Sequence, residues 1–366
     1  MPDTYRIGVI GHTGQGNYGH GIDTVWLQLS NCKIVGVADA DEKGRAAAVN
    51  RLKAPRGFAD YRKMLDETKP DIVAVCPRWL NQHRDMVVAA AERGMHVYME
   101  KPMCRSLAEA DQMAAACEKN NVKLAIAHQT RYSPKLHTIR DMIYDGKIGK
   151  LLELRGRGKE DRRGGGEDLW VLGSHIMNLM HRFGGEPNWC FATVTQAGQP
   201  VTKDHVSEGP EGIGPLAGDG LTATYGMDES VTAYFASHRN QGRARRFALQ
   251  IFGSEGVIEI VTGHLPKVSY LPDPMWSPGR SGARWVPVSS AGPGKPEPLK
   301  DGGLHAGNIL AVQDLLASIE EDRLPESSIY EARMTVEMIA SVFESHRVGG
   351  PVKLPLESRE NPLSLL

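Results

Sequence analysis

The chain has 366 residues, too many for one ordinary core and suited to about two domains of roughly 100 to 200 residues each. With 43 basic against 44 acidic side chains it carries no charge footprint for nucleic acid, and 41% hydrophobic with 24% charged residues is ordinary for a water-borne globular protein. The five cysteines are an odd number without CxxC spacing, which disfavours a disulfide framework and suits reduced core thiols in the cytoplasm.

The N-terminus, MPDTYRIGVIG, runs straight into a strand, so neither a secretory signal nor a lipid anchor is expected. No apolar run reaches the roughly 18 residues of a membrane span. Strands are expected at Ile7–Ile10, Ile34–Ala38, Ile72–Val75 and Val97–Met99, with helical segments between them. That βαβ alternation predicts a doubly wound parallel sheet. A helix over Leu107–Asn120 and a strand over Val122–Ala127 complete a first domain of residues 1–127.

From residue 128 the texture changes. After a helix at Pro134–Tyr144, strands are expected at Leu151–Arg155, Trp189–Val194, Leu221–Tyr225, Val231–His238, Ala248–Phe252 and Val257–Val261, a series that implies a mostly antiparallel sheet. One helix, about Asp168–Phe183, interrupts it, and Gly164-Gly165-Gly166 suggests a flexible entry near a ligand. Residues 195–220 and 263–303, rich in Gly, Pro and Ser, are expected to be long loops. Closing helices near Ala306–Glu320 and Tyr330–Arg347 are free to pack on either domain.

Four strand exits carry the chemistry. The first strand leads into Gly11-His12-Thr13-Gly14-Gln15-Gly16-Asn17-Tyr18-Gly19, ahead of an apolar helix expected around Val25–Leu29. Gly14-x-Gly16-x-x-Gly19 fits a dinucleotide fingerprint, in which glycines admit the pyrophosphate and a helix N-terminus faces it. Gly11 sits directly after the strand, so the turn is about three residues longer than usual. Asp39 ends the second strand, where an acid reading the adenosine ribose belongs; this favours NAD over NADP, with a solvated turn acid as the alternative. Lys43 and Arg45 are the nearby cations that could favour a 2′-phosphate. Cys76-Pro77-Arg78-Trp79 and then His83 follow the third strand, and Glu100-Lys101-Pro102 follows the fourth. A lysine there can face both a nicotinamide and a substrate hydroxyl.

With these exits in place the chain resembles the glucose-fructose oxidoreductase / inositol dehydrogenase / rhizopine catabolism (Gfo/Idh/MocA) family. Its marks are the glycine turn, Cys76-Pro77 with His83, Glu100-Lys101-Pro102, Gln129-x-Arg131, Asp145-Gly146-Lys147-Ile148-Gly149, Gly173-x-His175, Phe252-Gly253-Ser254-Glu255-Gly256 and Gly350-Pro351-Val352-Lys353-Leu354-Pro355. The resemblance implies an α/β fold: an N-terminal Rossmann doubly wound parallel sheet, then, over residues 128–366, an α/β domain with a large, mostly antiparallel open sheet that binds substrate and oligomerises as a homodimer or homotetramer. It implies NAD(P)-dependent hydride transfer to or from a sugar, cyclitol or related polyol. Cofactor contacts would come from Gly11, Gly14, Gly16, Gly19, Asp39, Cys76, Pro77, Arg78, His83, Glu100, Lys101 and Gln129. Substrate contacts would come from Lys101, Arg131, His175 and Asn178, and a cis bond is often found between the family's lysine and proline.

The pattern departs from the family at one point. An Asp-x-x-x-His pair is usual on one helix of the second domain, yet Val171 stands four residues before His175, and Asn178 stands three after it where Asp is frequent. Asp168, seven positions before His175, falls on a similar helix face after two turns and could partner substrate instead; a satisfied helix histidine and a first-turn acid are the alternative. His305 and Asn308 start a late helix and are further ligand candidates. No HExxH or paired His/Cys spacing indicates a metal. Two rival functions stay open: a lyase, epimerase or glycosidase that retains NAD and oxidises transiently, and a non-catalytic dinucleotide-binding sensor.

Overall fold

The computed structural model describes residues 4–241 and 246–366. The chain divides into two compact units: one comprises the chain up to Gln129 with Pro210–Gly214 and Leu304–Arg333, the other Thr130–Gly209, Pro215–Gly303 and Met334–Leu366.

The first unit is built on six parallel strands: β1 (Tyr5–Ile10), β2 (Cys32–Ala38), β3 (Gly57–Phe58), β4 (Ile72–Val75), β5 (His96–Met99) and β6 (Leu124–Ile126). Their order is β3-β2-β1-β4-β5-β6, which places the topological switch between β1 and β4. β4 is buried at all four positions, as expected of a parallel strand covered on both faces. Gly8 and Gly36 let the helix Tyr61–Thr68 lie close on β1 and β2: a Cβ on Gly8 would stand 3.0 Å from Pro70, and one on Gly36 3.1 Å from Met64. The helices start on polar caps at strand or loop exits, Asp41 accepting from Gly44 N at 2.6 Å and Asp60 from Arg62 N at 2.8 Å. The helix expected around Val25–Leu29 is a single 3₁₀ turn, Val25–Gln28, reached through turns. Four residues give no regular helix N-terminus at the end of the glycine run.

The second unit carries an 11-stranded sheet in which Leu151–Arg157 pairs parallel with Thr232–His238 and every other ladder is antiparallel. Residues 263–303, expected as loop, supply three further strands at one edge: Val268–Leu271, Val286–Ser289 and Gly292–Pro293. Their Gly, Pro and Ser content hid them; the outermost, Gly292–Pro293, lies at the sheet edge, where proline is tolerated. The helix Ser174–Gly184 covers one face of the sheet, with Ile176 and Met180 seated on Gly156. On alternate positions Trp189, Phe191 and Tyr234 stay exposed.

Gly164-Gly165-Gly166 is close-packed rather than a loose entry. Gly164 lies against the backbone of His238 and Arg239, and Gly166 N donates to Gly218 O at 3.1 Å. Gly165 has φ +90°, and its N–H donates to Ser237 Oγ at 3.0 Å. Side chains are excluded there by neighbouring backbone.

Candidate active site

In the first unit the glycine run is stitched across the strand exits. Gly14 and Gly16 both have positive φ, 84° and 90°, the region that glycine enters without steric cost. A Cβ on Gly16 would lie 2.5 Å from the amides of Arg78 and Trp79, and Arg78 N donates to Gly16 O at 3.2 Å. Gly16 therefore docks the run onto the β4 exit, while Gly14 faces open space. Gly11 is covered by the ring of Tyr18, over which the Arg51 guanidinium sits 4.8 Å from the centroid. Gly19 N donates to Cys76 O at 2.7 Å.

Asp39 is buried, 2% exposed, and both its oxygens are engaged. Oδ1 accepts from Thr13 N at 3.1 Å and Asp41 N at 3.0 Å, and Oδ2 accepts from the Thr13 hydroxyl at 2.7 Å. It is neither a solvated turn acid nor an open ribose acceptor: it latches the glycine run to β2. Arg45 is likewise engaged, donating from Nη1 to Asp39 O at 2.7 Å. Beside this latch lies a cavity of about 230 Å³ lined by Ile10–His12, Ala38–Ala40, Ala59–Arg62, Gln82 and Met86. His12 Nδ1 and Gln82 Oε1 meet at 2.7 Å on its lining.

His83 does not face a ligand. It is fully buried, with Nε2 at 2.7 Å from Pro77 O and Nδ1 at 3.0 and 3.1 Å from Pro102 O and Met103 O. Both ring nitrogens lie within hydrogen-bond distance of carbonyl oxygens. His83 thus ties the Cys-Pro loop to the Lys-Pro loop. Between those loops the Cys76 thiol is buried, and burial holds its pKa well above the ordinary value, so it stays protonated and inert.

At the β5 exit, Lys101 is 7% exposed and the Lys101–Pro102 bond is cis. Glu100 is 0% exposed; its Oε1 pairs with His20 Nδ1, and its Oε2 has no hydrogen-bond partner among the described residues. Gln129 is engaged below the exit, donating to Asn308 Oδ1 at 3.1 Å. Tyr98 OH reaches the same oxygen at 2.9 Å, and Asn308 Nδ2 donates to His20 O at 2.8 Å. Asn308 is therefore a hub beneath the exits. Thr13, Tyr18 and His20 were not singled out from the sequence; a threonine, tyrosine and histidine inside a glycine run read as loop filler until β2 and β5 are brought beside them.

In the second unit Asp168 is 0% exposed. Its Oδ2 accepts from Ser237 Oγ at 2.6 Å and Glu160 N at 3.0 Å, while Oδ1 has no partner among the described residues. Burial is the chief cause that raises its pKa above 3.8. The helix argument for pairing it with His175 fails on local geometry, because Leu169–Gly173 is a π turn. Seven residues close nearly two α-helical turns, but the extra residue of a π turn rotates Asp168 off that face. Val171 is buried. The ring of His175, partly exposed, meets Phe247 edge-on at 6.2 Å.

Asn178 and Arg131 are brought together, but with each other. Arg131 Nη1 donates to Asn178 O at 3.2 Å, Asn178 Nδ2 lies 3.5 Å from Thr335 Oγ1, and both residues are buried. They brace the helix Ser174–Gly184. Among the described residues no group of three or more His, Cys, Asp or Glu could hold a metal, and no helix is long and apolar enough to cross a membrane.

Residues 5–128 match the family described as "Oxidoreductase family, NAD-binding Rossmann fold". D-apiose dehydrogenase of Paraburkholderia graminis is 22% identical over 92% of this chain and 87% of its own length. Levoglucosan dehydrogenase of Pseudarthrobacter phenanthrenivorans is 25% identical over 61% of this chain, and the match spans 63% of that enzyme. Among solved structures, levoglucosan dehydrogenase in complex with NADH and levoglucosan superposes with a TM-score of 0.76 at 20% identity, covering 96% of this chain and 100% of that one, which shows a shared fold. Residues 5–128 thus match that NAD-binding oxidoreductase family, and the chain as a whole shares its fold with levoglucosan dehydrogenase.

Proposed function

We propose that this protein is an NAD-dependent dehydrogenase of a sugar, cyclitol or related polyol. The observation that carries the reading is Lys101: a nearly buried ammonium at the β5 exit, on a loop that His83 joins to the β4 exit. The cofactor fits the first unit at its adenosine end, where the 230 Å³ cavity opens beside the β2 exit. Gly14 leaves room that a side chain would fill. It fits less directly at Asp39, whose ribose-facing role requires an oxygen to be shared with Thr13. NAD over NADP is supported by that buried acid, while the nearby Arg45 guanidinium is already engaged by Asp39 O.

When bound, the nicotinamide supplies a hydride acceptor. The chain supplies the rest. Lys101 binds the substrate hydroxyl oxygen and stabilises the negative charge that develops there, an effect strengthened where water is excluded. The cavity residues hold the adenosine, and the Gly16 to Arg78 backbone contact fixes the run that approaches the phosphates. In the second unit His175, a partly exposed imidazole, is the proposed substrate-facing residue.

The test is direct: incubation with sugars, cyclitols and polyols, with NAD⁺ and NADP⁺ in parallel, and detection of reduced nicotinamide. Product with NAD⁺ supports the reading, and none with any substrate refutes it. A second reading, a glycosidase that retains NAD, is favoured by Val171 at the usual carboxylate position and by a 29% match over 181 residues to a protein named glycosyl hydrolase family 109 protein 1 of Akkermansia muciniphila. Glycoside cleavage without accumulating NADH would select it. The exposed Trp189, Phe191 and Tyr234 of the open sheet support a homo-oligomer, and the five free cysteines support a cytoplasmic site.

A further inference from the structure

His20 has an environment that the family pattern of Lys101 and His175 does not use. Gly19 seats the backbone between two strand exits: its N–H donates to Cys76 O after β4, and a Cβ on it would stand 3.0 Å from the Glu100 carboxylate after β5. The next carbonyl, that of His20, is held by Asn308, itself fixed by Tyr98 and Gln129. The imidazole is thereby delivered to Glu100, a carboxylate with no exposure to water and one oxygen unpartnered. The His20 side chain remains 39% exposed.

The partner fixes the tautomer. An ionised carboxylate only accepts, so Nδ1 carries the proton and the neutral ring keeps its lone pair on Nε2. Among the described residues Nε2 has no hydrogen-bond partner. The adenosine cavity lies at the exits of β1, β2 and β3, so the exits of β4 and β5 form the nicotinamide side of the crevice. His20 stands there, paired with the residue that precedes Lys101.

Resting on the dehydrogenase reading above, we propose that His20, oriented by Glu100, is the base that takes the substrate hydroxyl proton. The O–H bond breaks and its proton goes to Nε2; the C–H bond breaks and its electron pair leaves as hydride to NAD⁺; a carbonyl forms. The imidazolium is balanced by Glu100 and returns its proton to water from its exposed edge. Lys101 then acts as the charge stabiliser rather than the base.

His20→Asn separates the roles, because the amide still donates to Glu100 but cannot take the proton. Expected are a fall in kcat of about 10² to 10³, NAD⁺ affinity within about threefold by protein fluorescence, and partial rescue of His20→Ala by added imidazole. Nitrogen-15 spectra of the cofactor-free protein should show His20 with Nε2 unprotonated, and Glu100→Gln should disturb that tautomer. A His20→Asn enzyme with unaltered kcat, or a resting Nε2–H tautomer, overturns the assignment. Failure of the unaltered enzyme to reduce NAD⁺ with any polyol overturns the proposed function instead, and the spectra still decide the tautomer.

Discussion

Glu100 in the first unit and Asp168 in the second are both fully buried carboxylates with one oxygen partnered and one not. Their partners set them apart. Glu100 meets an imidazole that is partly open to solvent. Asp168 meets the Ser237 hydroxyl and a backbone amide, groups that do not titrate near neutrality. Burial alone therefore does not mark a catalytic acid; a reachable, titratable partner does. The Gly158–Gly166 segment around Asp168 is built for close packing, whereas the β5 exit around Glu100 keeps a side chain partly open to solvent.

The comparison can be broken most sharply at Lys101. Lys101→Met should lower kcat by about 10³ or more while NAD⁺ affinity, read by fluorescence titration, changes little; equal loss of both would remove the functional meaning of the β5 exit. On the other side, Asp168→Ala should cost about 3 kcal/mol of stability in urea unfolding, because Ser237 and Glu160 N lose a buried acceptor. Asp168→Asn should cost about 1 kcal/mol, and turnover per folded molecule should stay near that of the unaltered protein. A large kcat loss in a fully folded Asp168→Asn enzyme would make Asp168 catalytic after all.

A smaller effect is expected at the Thr13–Asp39 latch. Thr13→Val removes a hydroxyl donor at 2.7 Å from Asp39, at about 1 kcal/mol. It should loosen the glycine run and raise the KM for NAD⁺ several-fold without changing kcat. The smallest effect is in pH. The raised pKa of Asp168 means that its contribution is complete below its unfolded value near 3.8 and declines as pH rises through the folded value. Stability of Asp168→Asn relative to the unaltered protein should therefore improve from about pH 4 upward. Asp161, in the same segment, has the opposite sign: its hydrogen bond to Arg163 is the first cause of a pKa lowered to about 2. Its contribution is present above 3.8 and fades as pH falls through about 2, a loss that Arg163→Met should abolish.

Much of the fold was legible because parallel strands buried on both faces are near-continuous apolar runs, and β1, β2, β4 and β5 are such runs. The strands Val268–Leu271 and Val286–Ser289, close to one sheet edge but paired on both sides, were not, since their partly exposed positions hold the Ser and Pro that read as loop. The π turn at Leu169–Gly173 was also invisible: it differs from an α turn by one residue in the hydrogen-bond ladder, not in residue type. That single residue decided that Asp168 and His175 do not share a face.

Sequence alone determined the positions that local backbone chemistry demands: the glycine run after β1, Asp39 at the end of β2, and Lys101 at the exit of β5, each set by where a strand stops. Only tertiary structure decided what those positions do, because the deciding partners are distant in the chain. Asp39 closes on Thr13, His83 on Pro77 and Pro102, Asp168 on Ser237, and Glu100 on His20. A carboxylate's role follows from whether its partner can carry a proton, and spacing along the chain does not record which partner the fold delivers.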